Sequence, residues 1–453
     1  MPTELIAKYD ARIPRYTSYP TAPHFHAGVS PEVFGGWLDA LSPAQELSLY
    51  LHVPYCEVLC WFCGCHTRGT TTYTPVASYL DTLKREIRLI AERLGAGGRA
   101  PQPVRHLHFG GGSPSILAAP DFAGLIADLR SAFTFRDDAA IAIELDPRTT
   151  RPELVTAMAK AGVTRASVGV QDLTPKVQKA IHRIQPFSVV ENTIASLRAV
   201  GIDHINVDLM YGLPYQTQAN VRDTIDRILT LSPDRLAVFG YAHVPWMRKH
   251  QNLIAEDTLP GAAERWDQAA LARELLLAAG YVEIGFDHYA KPEDDLALAL
   301  AAGTLNRNFQ GYTSDTAIAL IGIGASGISE LPQGYAVNDG DIAAYKDSIA
   351  AGVYATRRGI SVSVEDKARR AIIERLMCDL RVDVAATAAL HGVDISDLRA
   401  DYPRLSEMES DGLLTRSGDI VAMTEAGRPF VRSACAAFDR YLVAGEQRHS
   451  RAV

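Results

Sequence analysis

The sequence predicts an α/β protein with a barrel-like parallel sheet, followed by a smaller, mostly helical C-terminal domain. From residue 47 onward, short apolar segments alternate with longer helix-like segments. Polar or glycine-rich stretches follow almost every apolar segment. After about residue 358 the pattern changes to helices that end in two short strand-like segments. These three observations together define the fold class.

The predicted strands are short, nearly unbroken apolar runs rich in β-branched residues, as expected of strands buried on both faces. They lie at 47–53, 104–109, 140–145, 165–170, 204–210 and 235–239, and a seventh run at 281–286 is a candidate extension. Helices are predicted between them at 76–94, 121–133, 152–161, 189–200, 219–231 and 262–279. Repeated β–α units predict parallel strands joined by right-handed crossovers.

The residues that follow the strands favour a barrel over an open doubly wound sheet. A cysteine-rich loop follows the first strand, three glycines (110–112) follow the second, and Glu144, Gln171 and Asp208 lie at the ends of later strands. The C-terminal ends of barrel strands open on one mouth. An open sheet instead binds its ligand at one switch point. A site that gathers this many strand ends suits a barrel-like sheet.

The flanking regions have their own character. Residues 12–25 are rich in proline and aromatic residues and predict an extended strap. The glycine-rich stretch 285–335 predicts loops that line a site. The C-terminal pattern resembles a winged helix, which we interpret as a packing domain or lid because basic residues do not dominate it. The predicted domains are an N-terminal strap (1–45), a catalytic barrel (46–357) and a C-terminal domain (358–453).

Composition excludes several classes of protein. The chain has 453 residues, 47% of them hydrophobic and 22% charged, which is ordinary for a globular protein. Its net charge of −8 argues against binding to nucleic acid or anionic membranes. No apolar run reaches membrane-spanning length. Apparently reduced cysteines and the lack of an export signal predict a cytoplasmic protein.

The most informative feature is a cluster of four cysteines within ten residues: Cys56, Cys60, Cys63 and Cys65. The spacing of the first three predicts an iron–sulfur cluster with one iron left without a protein ligand. Structural zinc, completed by Cys65 or His66, is the main alternative, but no second cysteine or histidine pair follows. A disulfide framework is disfavoured in a chain of this length with its other two cysteines far away.

Several residues beyond the cysteine loop suit a small ligand. The carboxylates and amide of Glu144, Asp208 and Gln171 suit ribose hydroxyls or an ammonium group, and Arg183 suits a carboxylate. Glycines 110–112 allow close approach of the backbone, whereas a phosphate loop is disfavoured because no Gly-Lys-Ser/Thr follows. Each residue alone is ordinary. As a set beside an iron with an open position, they suit S-adenosylmethionine.

Motifs in a characteristic order extend along nearly the whole chain. They are the cysteine motif at 56–63 and the segments 14–21, 50–54, 62–65, 108–114, 144–148, 169–172, 208–214, 241–243 and 307–312, with the C-terminal module. In this order the sequence resembles the radical S-adenosylmethionine superfamily. Within that superfamily it resembles the oxygen-independent coproporphyrinogen III oxidase family.

The resemblance implies a partial (β/α) barrel of about six parallel strands. It also implies a [4Fe-4S] cluster bound by Cys56, Cys60 and Cys63, and two molecules of S-adenosylmethionine. By position, the expected S-adenosylmethionine contacts are Tyr50, Phe62, Gly111, Gly112, Ser113, Glu144, Gln171, Arg183, Asp208, Ala242 and Ile328. Cys65 matches a family cysteine that is not a cluster ligand.

This sequence departs from the family pattern at three positions beside the site. Trp61 and His66 stand where Tyr and Asn are expected, and Ser113 stands where Thr is common. None of the three changes removes an expected cluster ligand.

The activity implied by the resemblance is oxidative decarboxylation of two propionates of coproporphyrinogen III. This reaction gives protoporphyrinogen IX through a 5′-deoxyadenosyl radical. It implies an electron donor and an acceptor that the sequence does not identify, and a monomeric enzyme. The four carboxylates of the substrate should attract cations, for which Arg15, Arg307 and His243 are candidates.

Three alternatives remain open at this stage. They are a related haem-binding chaperone, a haem-modifying radical methyltransferase and a zinc-stabilised winged-helix regulator. The Gly64-Cys65 pair and the Tyr-Thr-Ser-Tyr-Pro motif of the strap favour the oxidase over the chaperone.

Overall fold

The computed structural model of the chain describes residues 3–9, 11–98 and 100–442. The first residues of the predicted strap (1–2) and the last residues of the predicted C-terminal domain (443–453) lie outside the described residues. Among the described helices, none is both long enough and apolar enough to cross a membrane.

The chain divides into two compact units. The unit that we call the cysteine unit consists of Phe25–Asp208 and Asp315–Ser361, and the terminal unit consists of Met1–His24, Leu209–Ser314 and Val362–Val453. The three predicted domains, each continuous in sequence, stay a prediction.

The strands, in chain order, are β1 (Leu47–Val53), β2 (Tyr55–Cys56), β3 (Arg68–Gly69), β4 (Pro103–Gly111), β5 (Thr134–Leu145), β6 (Arg165–Gln171), β7 (His204–Tyr211), β8 (Arg235–Gly240), β9 (Val282–Ile284), β10 (His288–Ala290), β11 (Asn306–Asn308), β12 (Gly311–Thr313), β13 (Ala319–Ile323), β14 (Ile328–Leu331), β15 (Gly334–Asn338), β16 (Thr356–Ser361), β17 (Arg381–Asp383), β18 (Leu414–Ser417) and β19 (Ile420–Met423).

The α-helices are α1 (Thr3–Tyr9), α2 (Pro31–Asp39), α3 (Thr74–Leu94), α4 (Ala119–Ala132), α5 (Pro152–Ala161), α6 (Pro175–Ala180), α7 (Phe187–Ala199), α8 (Gln218–Leu229), α9 (Ala262–Ala278), α10 (Asp295–Ala301), α11 (Ile342–Ala350), α12 (Val364–Asp379), α13 (Val384–His391), α14 (Ile395–Arg399), α15 (Ser406–Ser410) and α16 (Val431–Ala437). Short 3-10 helices lie at Ala22–His24, Ala96–Gly98, Pro114–Ile116, Lys249–Leu253, Glu256–Thr258, Tyr402–Leu405 and Arg428–Phe430.

The cysteine unit contains a mixed sheet with a parallel centre. Its strand order is β16-β15-β14-β13-β1-β4-β5-β6-β7. Strands β13, β1, β4, β5 and β6 run parallel, and β14 to β16 extend the sheet in antiparallel fashion. Every residue of β1 is buried, as expected at the centre of a sheet covered on both faces. The prediction of an α/β protein is confirmed.

The predicted helices are present because their apolar residues recur at helical spacing. In α3, the side chains of Leu80, Leu83, Ile87 and Ile90 are all at most 2% exposed and lie on one face. Pro75 occupies the first turn, where its missing N–H costs no helical hydrogen bond. The helix therefore begins slightly before the predicted residue 76.

The terminal unit combines antiparallel strands with the C-terminal helices. Strand β10 pairs antiparallel with both β8 and β9, and a second small antiparallel sheet has the order β17-β19-β18. The core of the C-terminal helices includes Ile372, Leu376, Phe430 and Phe438, all fully buried. Tyr19 from the N-terminal segment packs into the same core. The segment 12–25 has a single 3-10 turn and is otherwise irregular, which agrees with an extended strap.

The expectation of loops across the whole of 285–335 is wrong for part of that segment. Strand β13 is fully buried and pairs in parallel with β1. Its Gly322 lies so close to the next strand that a Cβ would stand 2.4 Å from the Ile328 carbonyl oxygen. The glycines here allow close packing of strands, a role that composition alone does not distinguish from that of a loop.

Candidate cluster and ligand site

The cysteine loop begins immediately after β1. Cys56 ends β2, which pairs in parallel with β3 and so closes the base of the loop. Cys60 is buried, Cys56 and Cys63 are half-buried, and Cys65 is exposed. Among the described residues, which include all six cysteines, no disulfide bond is formed.

Polar groups lie beside two of these sulfurs. Thr67 Oγ1 lies 3.2 Å from Cys56 Sγ. The backbone N–H of Cys65 donates to Cys63 Sγ at 3.4 Å. Hydrogen bonds to sulfur stabilise thiolate ligands and tune an iron–sulfur cluster. Cys65 therefore supports Cys63 through its backbone, and the expectation that its own thiol is not a ligand stays a prediction.

The sulfur of Cys60 faces two arginines. Arg148 Nη2 lies 3.2 Å from Cys60 Sγ and Arg183 Nη1 lies 3.4 Å from it. Asp146 orients both guanidinium groups, at 2.6 Å from Arg148 Nη2 and 3.1 Å from Arg183 Nη1. Burial acts to raise the pKa of Asp146, but the two guanidinium groups outweigh it and hold the pKa below its ordinary value. Positive charge beside a cysteine favours the thiolate, the form that binds metal.

Arg183 also has unused hydrogen-bonding capacity. Its Nη2 donates to the carbonyl of Gly169, whereas its Nε is buried without a hydrogen-bond partner. A buried donor without a partner is costly unless a ligand accepts from it. The position of Arg183 therefore fits its expected contact with S-adenosylmethionine.

Glu144 ends up beside the glycine-rich end of β4. His108 Nε2 lies 3.1 Å from one carboxylate oxygen, and the N–H of Gly111 donates to the other at 3.3 Å. Burial acts to raise the pKa of Glu144, but His108 and the Gly111 N–H outweigh it and hold the pKa below its ordinary value. The side chain is still 41% exposed. It is a fixed negative charge with room to accept hydrogen bonds from a ligand.

Two glycines at the end of β4 are required because neighbouring parts of the chain lie too close for a side chain. Gly111 has a φ of +116°, and a Cβ there would lie 2.7 Å from the His52 ring. At Gly112 a Cβ would lie 2.4 Å from Thr67 Oγ1 and 2.7 Å from the Tyr55 carbonyl oxygen. These glycines bring the end of β4 against the base of the cysteine loop. The close approach seen here is between two parts of the chain, and the predicted approach to a ligand stays a prediction.

His52 is a site residue that the sequence analysis missed. Burial lowers its pKa to about 4, so the ring is neutral at physiological pH. Its Nε2 lies 2.9 Å from the carbonyl oxygen of His66 and must carry the hydrogen, because a carbonyl only accepts. Nδ1 therefore accepts from the Tyr50 hydroxyl at 3.1 Å. The fixed ring ties the predicted contact Tyr50 to the cysteine loop.

The remaining predicted contacts of the cysteine unit lie mainly at strand ends. Gln171 ends β6 with a φ of +71°, and its amide lies with Arg183 beside Gly169. Asp208 accepts hydrogen bonds from Ser167 Oγ at 3.0 Å and Asn206 Nδ2 at 2.8 Å. The structure thus places Gln171 with Arg183, and gives the Asp208 carboxylate polar partners of its own.

The other three predicted contacts in this unit have simpler surroundings. The N–H of Ser113 donates to the carbonyl of Tyr55 at 2.9 Å, which joins it to the base of the cysteine loop. Phe62 is half-buried within that loop, and Ile328 begins β14 against Gly322.

Ala242 is the one predicted contact assigned to the terminal unit, and the other ten belong to the cysteine unit. It follows β8, and its carbonyl accepts from Gln251 Nε2 at 3.3 Å.

The donor set of the cysteine loop fits a cluster. Among the described residues, no three His, Cys, Asp or Glu side chains converge as they would on a single metal ion. A [4Fe-4S] cluster makes a different demand, since each cysteine binds a separate iron. Three cysteines from one loop, with hydrogen-bond donors and two arginines beside them, meet that demand.

The cysteine loop and the glycine-rich strand on a parallel sheet are the features that the resemblance to radical S-adenosylmethionine enzymes predicts. The model of the Radical SAM superfamily matches residues 50–228. The model of the HemN C-terminal domain matches residues 362–430. The chain is therefore similar to radical S-adenosylmethionine enzymes in its central part and to a specific subgroup at its C-terminal end.

Relatives over the full length narrow the class. The chain is 46% identical over 454 residues to the oxygen-independent coproporphyrinogen III oxidase of Bradyrhizobium diazoefficiens, covering 100% of both chains. It is 41% identical to that of Paracoccus denitrificans, covering 99% of this chain and 98% of the relative. The solved coproporphyrinogen III oxidase of Escherichia coli, a radical SAM enzyme, superposes with a TM-score of 0.90 at 36% identity, covering 95% of this chain and 100% of that one.

This chain belongs to the oxygen-independent coproporphyrinogen III oxidase family. The resemblance drawn from the sequence motifs is confirmed.

Proposed function

We propose that this chain catalyses the oxygen-independent oxidative decarboxylation of coproporphyrinogen III to protoporphyrinogen IX. The observation that carries the proposal is Cys60, where a predicted cluster ligand faces Arg148 and Arg183 in a chain whose relatives of that name match along its whole length. The haem-binding chaperone and the methyltransferase have no comparable support.

The proposed cluster ligands are Cys56, Cys60 and Cys63. When bound, the [4Fe-4S] cluster and S-adenosylmethionine supply an electron and an organic radical that abstracts hydrogen from a substrate propionate. The thiols bind the irons, and Arg148 and the Cys65 N–H stabilise negative charge on their sulfurs.

We expect the remaining site residues to bind S-adenosylmethionine and to hold it in a fixed orientation. The half-exposed carboxylate of Glu144 accepts hydrogen bonds from ammonium or hydroxyl groups, and the unpartnered Nε of Arg183 donates to an acceptor of the ligand. Gly111 and Gly112 let the end of β4 pack against His52 and the base of the cysteine loop because neither carries a side chain, and this packing fixes the backbone of the proposed ligand site. Reacting groups held in this way need little further ordering during the reaction.

The proposal also covers the architecture, location and partners of the chain. A partial (β/α) barrel of about six parallel strands is supported by the five parallel strands of the cysteine unit. A winged-helix-like C-terminal domain is supported by helices α12 to α14 followed by the β18–β19 pair. A cytoplasmic location is supported by six free cysteines. Two S-adenosylmethionine molecules, external electron partners and a monomeric state rest on the resemblance alone.

The proposal is tested by an anaerobic assay of the reconstituted full chain with coproporphyrinogen III, S-adenosylmethionine and a reductant. The expected products are protoporphyrinogen IX, carbon dioxide and 5′-deoxyadenosine. If 5′-deoxyadenosine forms while the propionates survive, the proposed substrate is wrong. If neither product forms although the cluster is intact, the chain does not have the proposed enzymatic activity. Stoichiometric hemin binding without decarboxylation would favour the chaperone.

A further inference from the structure

The terminal unit contains a large cavity lined by residues of that unit. Its volume is about 920 Å³, in the upper part of the range of roughly 300–1,000 Å³ typical of small-molecule sites. Large aromatic side chains form part of the wall: Tyr241, Trp246, Trp266, Phe286 and Tyr289. A cavity of this size and character suits a large, partly apolar ligand.

The same wall is unusually rich in charge. Six arginines and four carboxylates line it: Arg12, Arg15, Arg265, Arg273, Arg428 and Arg432, with Glu256, Glu283, Asp287 and Glu425. The chain as a whole has a net charge of −8, so an excess of arginine in one cavity runs against its overall composition.

Two of the carboxylates are committed to two of the arginines. Glu283 lies 2.8 Å from Arg273 Nε and 3.1 Å from Arg428 Nε. Glu425 forms an ion pair with the same Arg273. These four side chains form a neutralised network on the wall.

The other two carboxylates have histidine partners. Asp287 lies 2.5 Å from Nδ1 of His288, and Glu256 lies 3.2 Å from Nε2 of His243. Burial acts to raise the pKa of Asp287, but His288 outweighs it, with smaller contributions from the charges of Arg307 and Arg15, and the pKa stays below its ordinary value. No described carboxylate lies within ion-pairing distance of Arg12, Arg15 or Arg265.

Within the described part of the chain, the recorded contacts of these three arginines are with neutral groups. The guanidinium of Arg12 lies 4.8 Å from the centre of the Trp246 ring. Arg15 Nη2 donates to the carbonyl of Gly240 at 2.9 Å. Arg265 Nε is buried and has no hydrogen-bond partner. Cations partly removed from water and left without a counter-charge are costly, and a bound anion would remove that cost.

Arg432 raises the positive potential of the wall further. It is almost fully buried, and it donates to the carbonyls of Pro14, at 3.0 Å, and Ile13. Burial lowers the pKa of its guanidinium to about 10, so it stays charged at physiological pH. Its carbonyl partners belong to the strap segment that carries Arg12 and Arg15, and these contacts help to fix that segment.

We propose that Arg12, Arg15 and Arg265 bind propionate carboxylates of a tetracarboxylate tetrapyrrole in this cavity, with its pyrrole rings against the aromatic wall. This inference rests on the proposed function and names the residues that select the substrate. Arginine suits the role because its planar fork of donors matches a carboxylate and remains charged.

Of the three cations proposed from the sequence as substrate contacts, two line this cavity and one does not. Arg15 and His243 line it. Arg307 is not among the lining residues: it is buried, with its guanidinium 4.4 Å from the centre of the Tyr312 ring. Arg12 and Arg265 are additions that only the structure supplies.

The test uses Arg12→Gln and Arg265→Gln in the full-length holoenzyme, with coproporphyrin III as a fluorescent tetracarboxylate probe. Loss of one charged hydrogen-bonding group should weaken binding of the probe about 10- to 100-fold in each variant. The KM for coproporphyrinogen III should rise by a similar factor. Arg222→Gln is the matched control, because Arg222 is an exposed arginine of α8 in the same unit. It should leave both constants unchanged.

Two further measurements keep the outcomes separate. Circular dichroism and iron content report whether each variant is folded, and Arg265→Lys should restore part of the affinity lost in Arg265→Gln. If Arg265→Gln fails to fold, the part-exposed Arg12→Gln decides the question. If wild type decarboxylates its substrate and the folded variants keep wild-type Kd and KM, the cavity proposal is overturned and the proposed function stands. Arginine-dependent probe binding without decarboxylation would support the cavity site and overturn the proposed function.

Discussion

The two units of this chain use arginine in opposite ways. In the cysteine unit, Arg148 and Arg183 are held by Asp146 and face the sulfur of Cys60. In the terminal unit, three cavity arginines have no described carboxylate at ion-pairing distance. A carboxylate holds the charge of a paired arginine in place, even where one nitrogen stays available to a ligand, as at Arg183, whereas the whole guanidinium of an unpaired arginine is available to an incoming anion. The neighbouring carboxylates, and not the arginine itself, therefore decide which role applies.

The largest expected effect is at the proposed cluster ligands of the cysteine unit. Cys56→Ala removes one of three proposed iron ligands, so we expect the visible absorbance of the cluster and all 5′-deoxyadenosine formation to disappear. Cys65→Ala is the matched control, because alanine keeps the backbone N–H that donates to Cys63 Sγ. It should retain most of the absorbance. An unchanged spectrum in Cys56→Ala would remove Cys56 from the ligand set.

The next effect tests the close packing of β4 against the cysteine loop. In Gly112→Ala, the new Cβ would lie within 2.7 Å of the Tyr55 carbonyl oxygen, and backbone cannot move aside as a flexible side chain can. We expect about 1–3 kcal/mol lower stability from overpacking. Displacement of the site should reduce turnover about 100-fold. Both follow from urea unfolding and the anaerobic assay.

The loop itself provides the control for that substitution. Gly64 has no atom within 4 Å of its Cβ position, so Gly64→Ala should leave stability and turnover nearly unchanged. Equal losses in the two variants would mean that glycine matters in this region for a reason other than close approach.

The comparison also shows what sequence could and could not predict. The six strands were predictable because each is a short segment rich in apolar residues, a local signal that needs no knowledge of the neighbouring strands. Strand β13 was missed because Gly322 interrupts it, and the role of this glycine depends on Ile328 of the next strand. Local patterns therefore predicted most of the parallel core, whereas β13 and the antiparallel extension needed the structure.

The site divides along the same line. Spacing and family resemblance were enough to propose the three cluster cysteines and Glu144 as site residues. Arg148 was not singled out, because its partner Cys60 lies 88 residues earlier in the chain. Arg265 was missed for a stronger reason. Arg265 is of interest because no described carboxylate lies within ion-pairing distance of it, and no sequence pattern shows this.

A smaller effect is expected from removing a paired arginine near the cluster. Arg148→Gln removes a cation and a donor from Cys60 Sγ, so the reduction potential of the cluster should become more negative. Activity should fall about 10- to 100-fold, as for other residues that support metal ligands. Redox titration and the anaerobic assay measure the two effects. Arg151→Gln is the control, since Arg151 pairs instead with Glu57 at 2.6 Å on the surface. A potential equal to wild type in Arg148→Gln would contradict a role for this pairing.

The last prediction concerns a buried carboxylate that has no lysine or arginine at ion-pairing distance among the described residues. Glu86 of α3 accepts from the Gly324 N–H, Asn338 Nδ2 and the Tyr345 hydroxyl, at 2.6–2.7 Å. Burial outweighs these neutral donors and raises its pKa from 4.5 to about 7. The folded state therefore binds a proton more tightly than the unfolded state, so Glu86 stabilises most below about pH 4.5 and this contribution is lost as pH rises through 7.

Glu86→Gln removes this titration and should affect activity least of the four substitutions. The unfolding free energy of wild type, relative to the variant, should fall by about 3 kcal/mol between acid and mildly alkaline pH. Urea unfolding near pH 5 and near pH 8 measures the change. Glu92→Gln, which changes an exposed residue on the same helix, is the control. Its unfolding free energy should differ from that of wild type by the same amount at both pH values. A difference between wild type and Glu86→Gln that does not vary with pH would mean that the carboxylate stays ionised, so that three neutral donors suffice to hold a buried negative charge without an arginine.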